Sequence, residues 1–192
     1  FHNLEIIKKH RFVDSRYKQH LLRLDEGEDV KIEPFNVDIL SGLSQFDAVV
    51  MSDYNKGFLP NKVISHICEL FKDKPVFADS KKQDLSFFSD CIIKINEKEF
   101  NSLTNMPKNS KFVVTLGEKG AMCDEKIYST DKTEVFDVCG AGDVFLSGLV
   151  YGWLRWKDPR LSIDLANKSA RVSVSKMGTH VLTKEDVIGL CI

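Results

Sequence analysis

Absences narrow this sequence before any motif does. No apolar run approaches the roughly 20 residues that a membrane-spanning helix requires, and no signal-peptide pattern occurs, so no membrane role is expected. Neither sign of charge dominates: 27 Lys and Arg stand against 28 Asp and Glu, which leaves no field to draw in nucleic acid or an anionic surface. The five cysteines form no C-x-x-C pair, and most lie in apolar runs such as "VISHICELF" and "DCIIKI". That excludes a zinc ribbon or a disulfide framework and predicts reduced thiols in a cytoplasmic setting. The five histidines are scattered, so no metal-ligand cluster is expected. No Gly-Gly dipeptide occurs anywhere, and the first residue is Phe1 rather than Met, so an upstream segment is expected.

What is present has the rhythm of an α/β domain. The length of 192 residues and the 43% hydrophobic content suit one globular domain with a real core. "FDAVVMSD", "KPVFAD", "CIIKIN" and "KFVVTLG" are short apolar runs, predicted as strands buried on both faces. "NKVISHICELF" between them has helical spacing at Val63, Ile64, Ile67, Leu70 and Phe71. A mainly parallel sheet flanked by helices follows. "GAMCDEKIYSTDKTEVFDV" breaks the rhythm with two or three short strands, and after Asp143 the pattern is helical. Leu146, Leu149, Val150, Trp153 and Leu154 mark one face of the first helix; "LSIDLANKSARVSVSKMG" gives a second, and "TKEDVIGL", with Thr183 as N-cap, a third. Residues 1–30 read as an outer β-hairpin and residues 31–192 as the core.

Chemistry concentrates at "DVCGAGDVFLSG", Asp137 to Gly148. A strand, "TEVFD", is predicted to enter a glycine turn that leaves as a helix near Asp143. The first-turn amides of a helix and its positive dipole end favour an anion, and glycines let the backbone approach it closely. An acid at that mouth can serve as a general base towards a hydroxyl attacking phosphorus, while the amides of Ala141, Gly142 and Asp143 stabilise charge on the transferred group. An ordinary helix-start acid after a plain bend is the other reading. A dinucleotide fingerprint fails because Phe145 stands where Gly or Ala is needed, and no G-K-[ST] follows for a P-loop.

At these residues the sequence resembles the ribokinase-like (PfkB) carbohydrate kinases. "DVCGAGD" is similar to their D-T-x-G-A-G-D signature, "NEKE" to N-x-x-E, "TLGEKG" to T-x-G-x-x-G, and "LANKSARVSVSKMG" to the helix lining the adenine pocket, all in family order. "DYNKG", "DSKK" and "KQHLLRLD" look like blocks of the heptose 7-phosphate kinase branch. Ser80 departs from that branch's proline, His20 from its glutamine, and Cys139 from its threonine or serine. The sugar-binding G-G-x-x-x-N signature is missing, so the chain looks like the C-terminal two-thirds of such a kinase, with a remnant of a small β lid.

The resemblance implies a three-layer ribokinase-like fold, ATP and Mg²⁺ as cofactors, a sugar or sugar-phosphate substrate, and a possible homodimer through the hairpin. It implies Asp143 as general base, with Gly140, Ala141 and Gly142 as the anion hole. Asn96 and Glu99 would organise Mg²⁺, with Asp137 ordering the metal or the turn; a helix start and a strand-end cap are the alternatives. Thr115, Gly117 and Gly120 would contact phosphates, unless the glycines only make a hairpin. Asn167 would line the adenine pocket or lie on a polar helix surface. Lys81 would neutralise phosphate charge, and Asp53, Lys56, Arg23 and Lys18 would meet the sugar phosphate. Cys139 reads as a small turn residue without catalytic duty. Rival functions are a non-catalytic nucleotide-binding or assembly module, and a kinase for another sugar or nucleoside.

Overall fold

The computed structural model describes residues 7–190 apart from 15, 18, 28, 31, 43 and 44, so the expectation for Lys18 lies outside the described residues. β1 (Lys8–Val13) and β2 (His20–Glu26) pair antiparallel as a two-stranded ribbon separate from the main sheet. Their side chains are mostly exposed, with Phe12, Leu21, Leu22 and Leu24 among them, as the charge-rich, partly alternating sequence foretells.

The main sheet has the spatial order β3 (Val49–Asp53), β4 (Val76–Ser80), β5 (Cys91–Asn96), β6 (Lys111–Thr115), β7 (Ala121–Cys123), β8 (Lys126–Tyr128). β3 to β6 are parallel, whereas β7 and β8 return antiparallel. The parallel strands cross over through α1 (Asn61–Leu70) and the short α2 (Glu97–Asn101). Three helices complete the chain: α3 (Ala141–Trp156), α4 (Pro159–Val174) and α5 (Lys184–Gly189). Asp158 caps α4 by accepting from Leu161 N at 2.9 Å, and Thr183 caps α5 in a reciprocal box with Asp186.

Successive strand residues point to opposite faces, and the two faces build two cores. Val76, Ala78, Ile93, Ile95 and Val114 pack with Ile64, Ile67 and Cys68 of α1. Phe77, Ile92 and Val113 pack on the other side with Phe145, Leu146 and Leu149 of α3 and Ile163 and Ala166 of α4. The result is helix, sheet and helix in three layers. This alternation carries a consequence for the site. Two residues beyond Phe77 and Ile92, on the α3 side, stand Asp79 and Lys94, both buried.

Two expectations need correction. "TEVFD" is not a strand: Phe136 N and Asp137 N donate to Val174 O, at the end of α4, at 2.8 and 3.3 Å. Its alternating pattern belongs to a loop whose Val135, Phe136 and Val138 are exposed. The inward face of α3 is also rotated from the hydrophobic stripe, for Leu154 is exposed while Gly148 and Gly152 are buried. These glycines let α4 come close. A Cβ on Gly152 would lie 2.8 Å from Ser162 Cα. Gly152→Val is therefore expected to lower stability by about 1–3 kcal/mol through overpacking, despite valine's better helix propensity. The urea midpoint of unfolding measures this, and an unchanged midpoint would show that the two helices part without cost.

Candidate functional site

The C-terminal ends of β3, β4 and β5 converge on the start of α3, the edge where open parallel sheets receive ligands. A cleft of about 120 Å³ lies there, lined by Asp53, Tyr54, Asp79, Lys81, Lys94, Gly140, Gly142 and Asp143, with Ser52 beside them. It is smaller than the 300–1,000 Å³ typical of whole-ligand pockets. Its size suits the reacting end of a ligand.

Polar groups in it are linked in one line. Lys94 Nζ meets Asp79 Oδ2 at 2.6 Å, and Asp79 Oδ1 meets Lys81 Nζ at 3.2 Å. Lys81 Nζ then reaches Glu99 Oε1 at 2.8 Å. Burial pulls the Lys81 pKa down, but Glu99 and Asp79 outweigh it and hold it above the ordinary value. The ammonium is thus kept charged. Desolvation, followed by the Asp143 and Asp79 carboxylates, pushes the Tyr54 phenol up and keeps it neutral.

The glycine turn has two separate reasons for its glycines. Gly140 has φ +77°, a left-handed conformation that side chains resist, and its Cβ would lie 2.8 Å from Thr179 Cγ2. Gly142 sits directly over the buried lysine: a Cβ there would be 2.6 Å from Lys94 Nζ. The positive end of α3 and an ammonium therefore share one spot. The amides are less free than the sequence suggests. Ala141 N donates to Val138 O at 3.3 Å and Asp143 N to Gly140 O at 3.0 Å. Lys94 supplies positive charge where the expected row of amides is partly engaged. Asp143 is exposed at the rim, and among the described residues no hydrogen bond or ion pair occupies its carboxylate.

The other expected residues divide. Asp53 is at the cleft, buried, accepting from Ser80 Oγ at 2.8 Å and Asn55 N at 2.9 Å. Ser80, which departs from the proline of the resembled block, thereby orders that carboxylate. Asn96 Oδ1 accepts from Glu99 N at 2.8 Å while Glu99 Oε2 accepts from Asn96 N at 3.2 Å, so the pair caps α2. Glu99's other oxygen still faces Lys81, and a hydrated Mg²⁺ takes such oxygen donors through water.

Thr115, Gly117 and Gly120 do not line the cleft; they form the tight turn between β6 and β7, where Leu116 N donates to Gly120 O at 2.8 Å. Asn167 is not on a helix surface: it is buried and donates from Nδ2 to Tyr128 O at 2.9 Å, tying α4 to β8. Lys56 is exposed on the loop after β3, outside the lining. Arg23 pairs with Asp25 on the hairpin, Nε to Oδ1 at 2.7 Å, in a different groove.

Asp137 does not join the cleft. Its Oδ1 accepts from Cys139 N at 2.9 Å, and its Oδ2 from Gly178 N at 3.1 Å, with His20 Nε2 also at 3.1 Å. It ends a loop rather than a strand and orders the turn from the hairpin side, away from the cleft where Mg²⁺ is expected. Although the histidines are scattered in sequence, His20, Asp137 and Cys139 bring their donor atoms within 4.8 Å of one another.

Lys94, Asp79 and Tyr54 were not singled out in the sequence. The signal for Lys94 was a charge inside the otherwise apolar "CIIKIN", at even spacing from Ile92. Such a residue in a doubly covered strand must have a buried partner.

A profile of pfkB family carbohydrate kinases matches residues 8–185. The chain is 29% identical to "Bifunctional protein HldE" of a Nitratiruptor species, over 96% of this chain and 45% of that protein. It is 32% identical to the protein of the same name from Campylobacter curvus, over 84% and 40%. The chain thus spans less than half the length of these curated relatives. Among solved structures it is similar to Arabidopsis thaliana ribokinase, complexed with ribose and ATP, with TM-score 0.72 and 19% identity over 96% of this chain and 68% of that one. Thermotoga maritima ribokinase gives TM-score 0.68 and 17% identity over 95% and 68%. The fold is ribokinase-like.

Burial alone would raise the Asp137 carboxyl, but its hydrogen bonds with Cys139, His20 and Gly178 outweigh that and hold the pKa at about 2, against 3.8 unperturbed. A depressed carboxyl adds stability above its unfolded pKa and loses it as the pH falls through the folded one. Asp137→Asn is expected to cost about 2 kcal/mol at pH 7. The gap from the parent protein should narrow as the pH falls from 3.8 towards 2. Urea unfolding across that range tests it, and a gap that persists at low pH would assign the loss to packing instead.

Proposed function

Because the chain belongs to the pfkB family of carbohydrate kinases, we propose that it works in phosphoryl transfer from MgATP to a sugar hydroxyl, with Asp143 as the general base. The observation that carries this reading is that one phosphoryl-sized cleft holds the Asp143 carboxylate, which has no partner among the described residues, and the buried Lys94 ammonium under Gly142. A phosphoryl group over Gly142 would face the dipole of α3 from one side and Lys94 and Lys81 from another. Asp143 at the rim is open to the acceptor hydroxyl, whose proton it takes as the new P–O bond forms. Asp53 and Tyr54, which line the same cleft, would meet the acceptor.

The remaining roles follow from placement. Asn96 holds Glu99 in position, and Glu99 together with Lys81 borders the place for hydrated Mg²⁺. That ion, when bound, neutralises charge on the phosphates. Thr115, Gly117 and Gly120 would shape the nucleotide side through their turn, and Asn167 would brace it from below. For Asp137, turn ordering replaces the expected part in holding Mg²⁺.

The acceptor we favour is a heptose 7-phosphate, phosphorylated at its anomeric hydroxyl. The "DYNKG", "DSKK" and "KQHLLRLD" blocks and the kinship with the HldE proteins support it. A cytoplasmic setting agrees with the reduced thiols, and no helix among the described residues is long and apolar enough to cross a membrane. Exposed apolar residues on β1 and β2 suit pairing of two copies through the hairpin. A second reading, a nucleotide-binding or assembly module without catalysis, has one observation in its favour: the amides of Ala141 and Asp143, expected to face an anion, donate to Val138 O and Gly140 O instead.

Asp143→Asn separates the two. The variant is expected to keep nucleotide binding while kcat falls by about 10²–10⁴-fold, the range for loss of a general base. Isothermal titration with an ATP analogue and a coupled ADP-release assay measure the two quantities. Undiminished turnover would remove Asp143 from the chemistry, and no turnover by the unaltered full-length protein on any sugar would favour the binding module.

A further inference from the structure

On the other side of the glycine turn lies a second groove, between the hairpin and residues 135–139. Its walls include Leu21, Leu22, Phe136 and Val138, with Arg11 and Arg23 alongside, and its floor is His20, Asp137 and Cys139. His20 is distant in sequence from Asp137 and Cys139, yet each of the three offers a metal-binding atom, and these atoms all lie within 4.8 Å of one another. We propose that His20, Asp137 and Cys139 form a binding site for a zinc-class divalent cation.

Geometry supports the assignment. Tetrahedral zinc holds nitrogen and oxygen at about 2.0–2.2 Å and sulfur at about 2.3 Å, which puts neighbouring ligand atoms roughly 3.3–3.7 Å apart. His20 Nε2 and Asp137 Oδ2 are already 3.1 Å apart, so an ion enters with small side-chain movements. The Asp137 carboxylate is oriented by the Cys139 and Gly178 amides, the kind of outer support that fixes a ligand before the metal arrives. Its side chain is 3% exposed, whereas that of His20 is 41% exposed, so the site has a rigid inner ligand and an open mouth. Three protein ligands leave the fourth position to water.

The donor set and its surroundings also select the ion. A thiolate and an imidazole suit zinc and its neighbours, whereas Mg²⁺ and Ca²⁺ prefer oxygen alone. Arg11 and Arg23 on the same walls oppose any dication held by charge only, although Asp25 partly neutralises Arg23. Covalent bonding to sulfur overcomes that opposition where simple attraction does not. Binding displaces the thiol proton and leaves Cys139 as thiolate, with the proton passing to solvent.

The location gives the ion a consequence. His20 begins β2, and Cys139 immediately precedes Gly140, the N-cap of α3. An ion between them pins the hairpin to the turn that carries Asp143. It is thus a structural clamp on the loop that the proposed kinase site depends on, and it is separate from Mg²⁺ in the cleft.

Titration of the full-length protein with Co²⁺, followed by displacement with Zn²⁺ against a chromophoric chelator, tests the site without any assay of activity. One equivalent of cobalt with a thiolate charge-transfer band is expected. Cys139→Ser should abolish the band, and His20→Gln should weaken zinc at least about tenfold, the lower bound known for supporting residues. His66→Gln, on the exposed side of α1, should bind as the parent protein does. Circular dichroism identifies a variant that has lost its fold, and the cobalt band of the unaltered protein stands without any variant. Absence of that band, or unchanged zinc affinity in folded Cys139→Ser, would overturn the proposal.

Discussion

The buried ion pair between Lys94 and Asp79 is the constraint on which the rest of the site depends. Moving either charge out of water costs several kcal/mol, which their attraction offsets only at close range and with further partners. At 2.6 Å, with Lys81 on Asp79's other oxygen, those conditions are met. The pair then dictates what surrounds it. A side chain at position 142 would have to displace the lysine's ammonium, which lies 2.6 Å from where its Cβ would be. Asp79 draws Lys81 inward, and Lys81 draws Glu99, so β4, β5 and α2 are tied to the start of α3 by charges in sequence. Truncation of Asp79 takes from the buried Lys94 the carboxylate that it pairs with, whereas Asp79 and Lys81 each keep a second partner when one is lost.

Strand alternation explains why the pair exists where it does. Phe77 and Ile92 form part of the core beneath α3, and Asp79 and Lys94 follow them on the same face, nearer the strand ends. The sheet changes from apolar to charged over a single side-chain repeat. Beneath the body of α3 that face is oil; beneath its N-terminus it is a cleft. The positive end of the helix and the lysine together make a place for an anion, and the exposed Asp143 stands at its rim.

The glycine turn separates two chemistries. Its inner side faces Lys94 and the cleft, while its outer side is ordered by Asp137 through the Cys139 and Gly178 amides. Asp137 and Asp143 stand six positions apart and look equivalent in the sequence. One accepts backbone amides of the turn on the hairpin side and the other stands exposed at the rim of the cleft. Their surroundings, and not their identity, distinguish them.

The sequence by itself determined the layers and the location of the chemistry. Apolar runs too short for helices and too continuous for half-exposed strands forced a covered parallel sheet, and "DVCGAGD" placed a helix start and an acid at its edge. The Thr183 cap was legible for a local reason, because its hydrogen bonds with Asp186 span only three residues. Tertiary structure alone decided what depends on distance. "TEVFD" alternates like a strand but meets the end of α4 instead of a partner strand. Gly152 outranks Leu154 on the inner face of α3, because α4 approaches closely there. Lys94 looked like an interruption in a core strand until Asp79 stood beside it, and His20 meets Asp137 across 117 positions. Whether a buried charge is paired, and which ligand atoms meet, depends on separations in space that linear order does not encode.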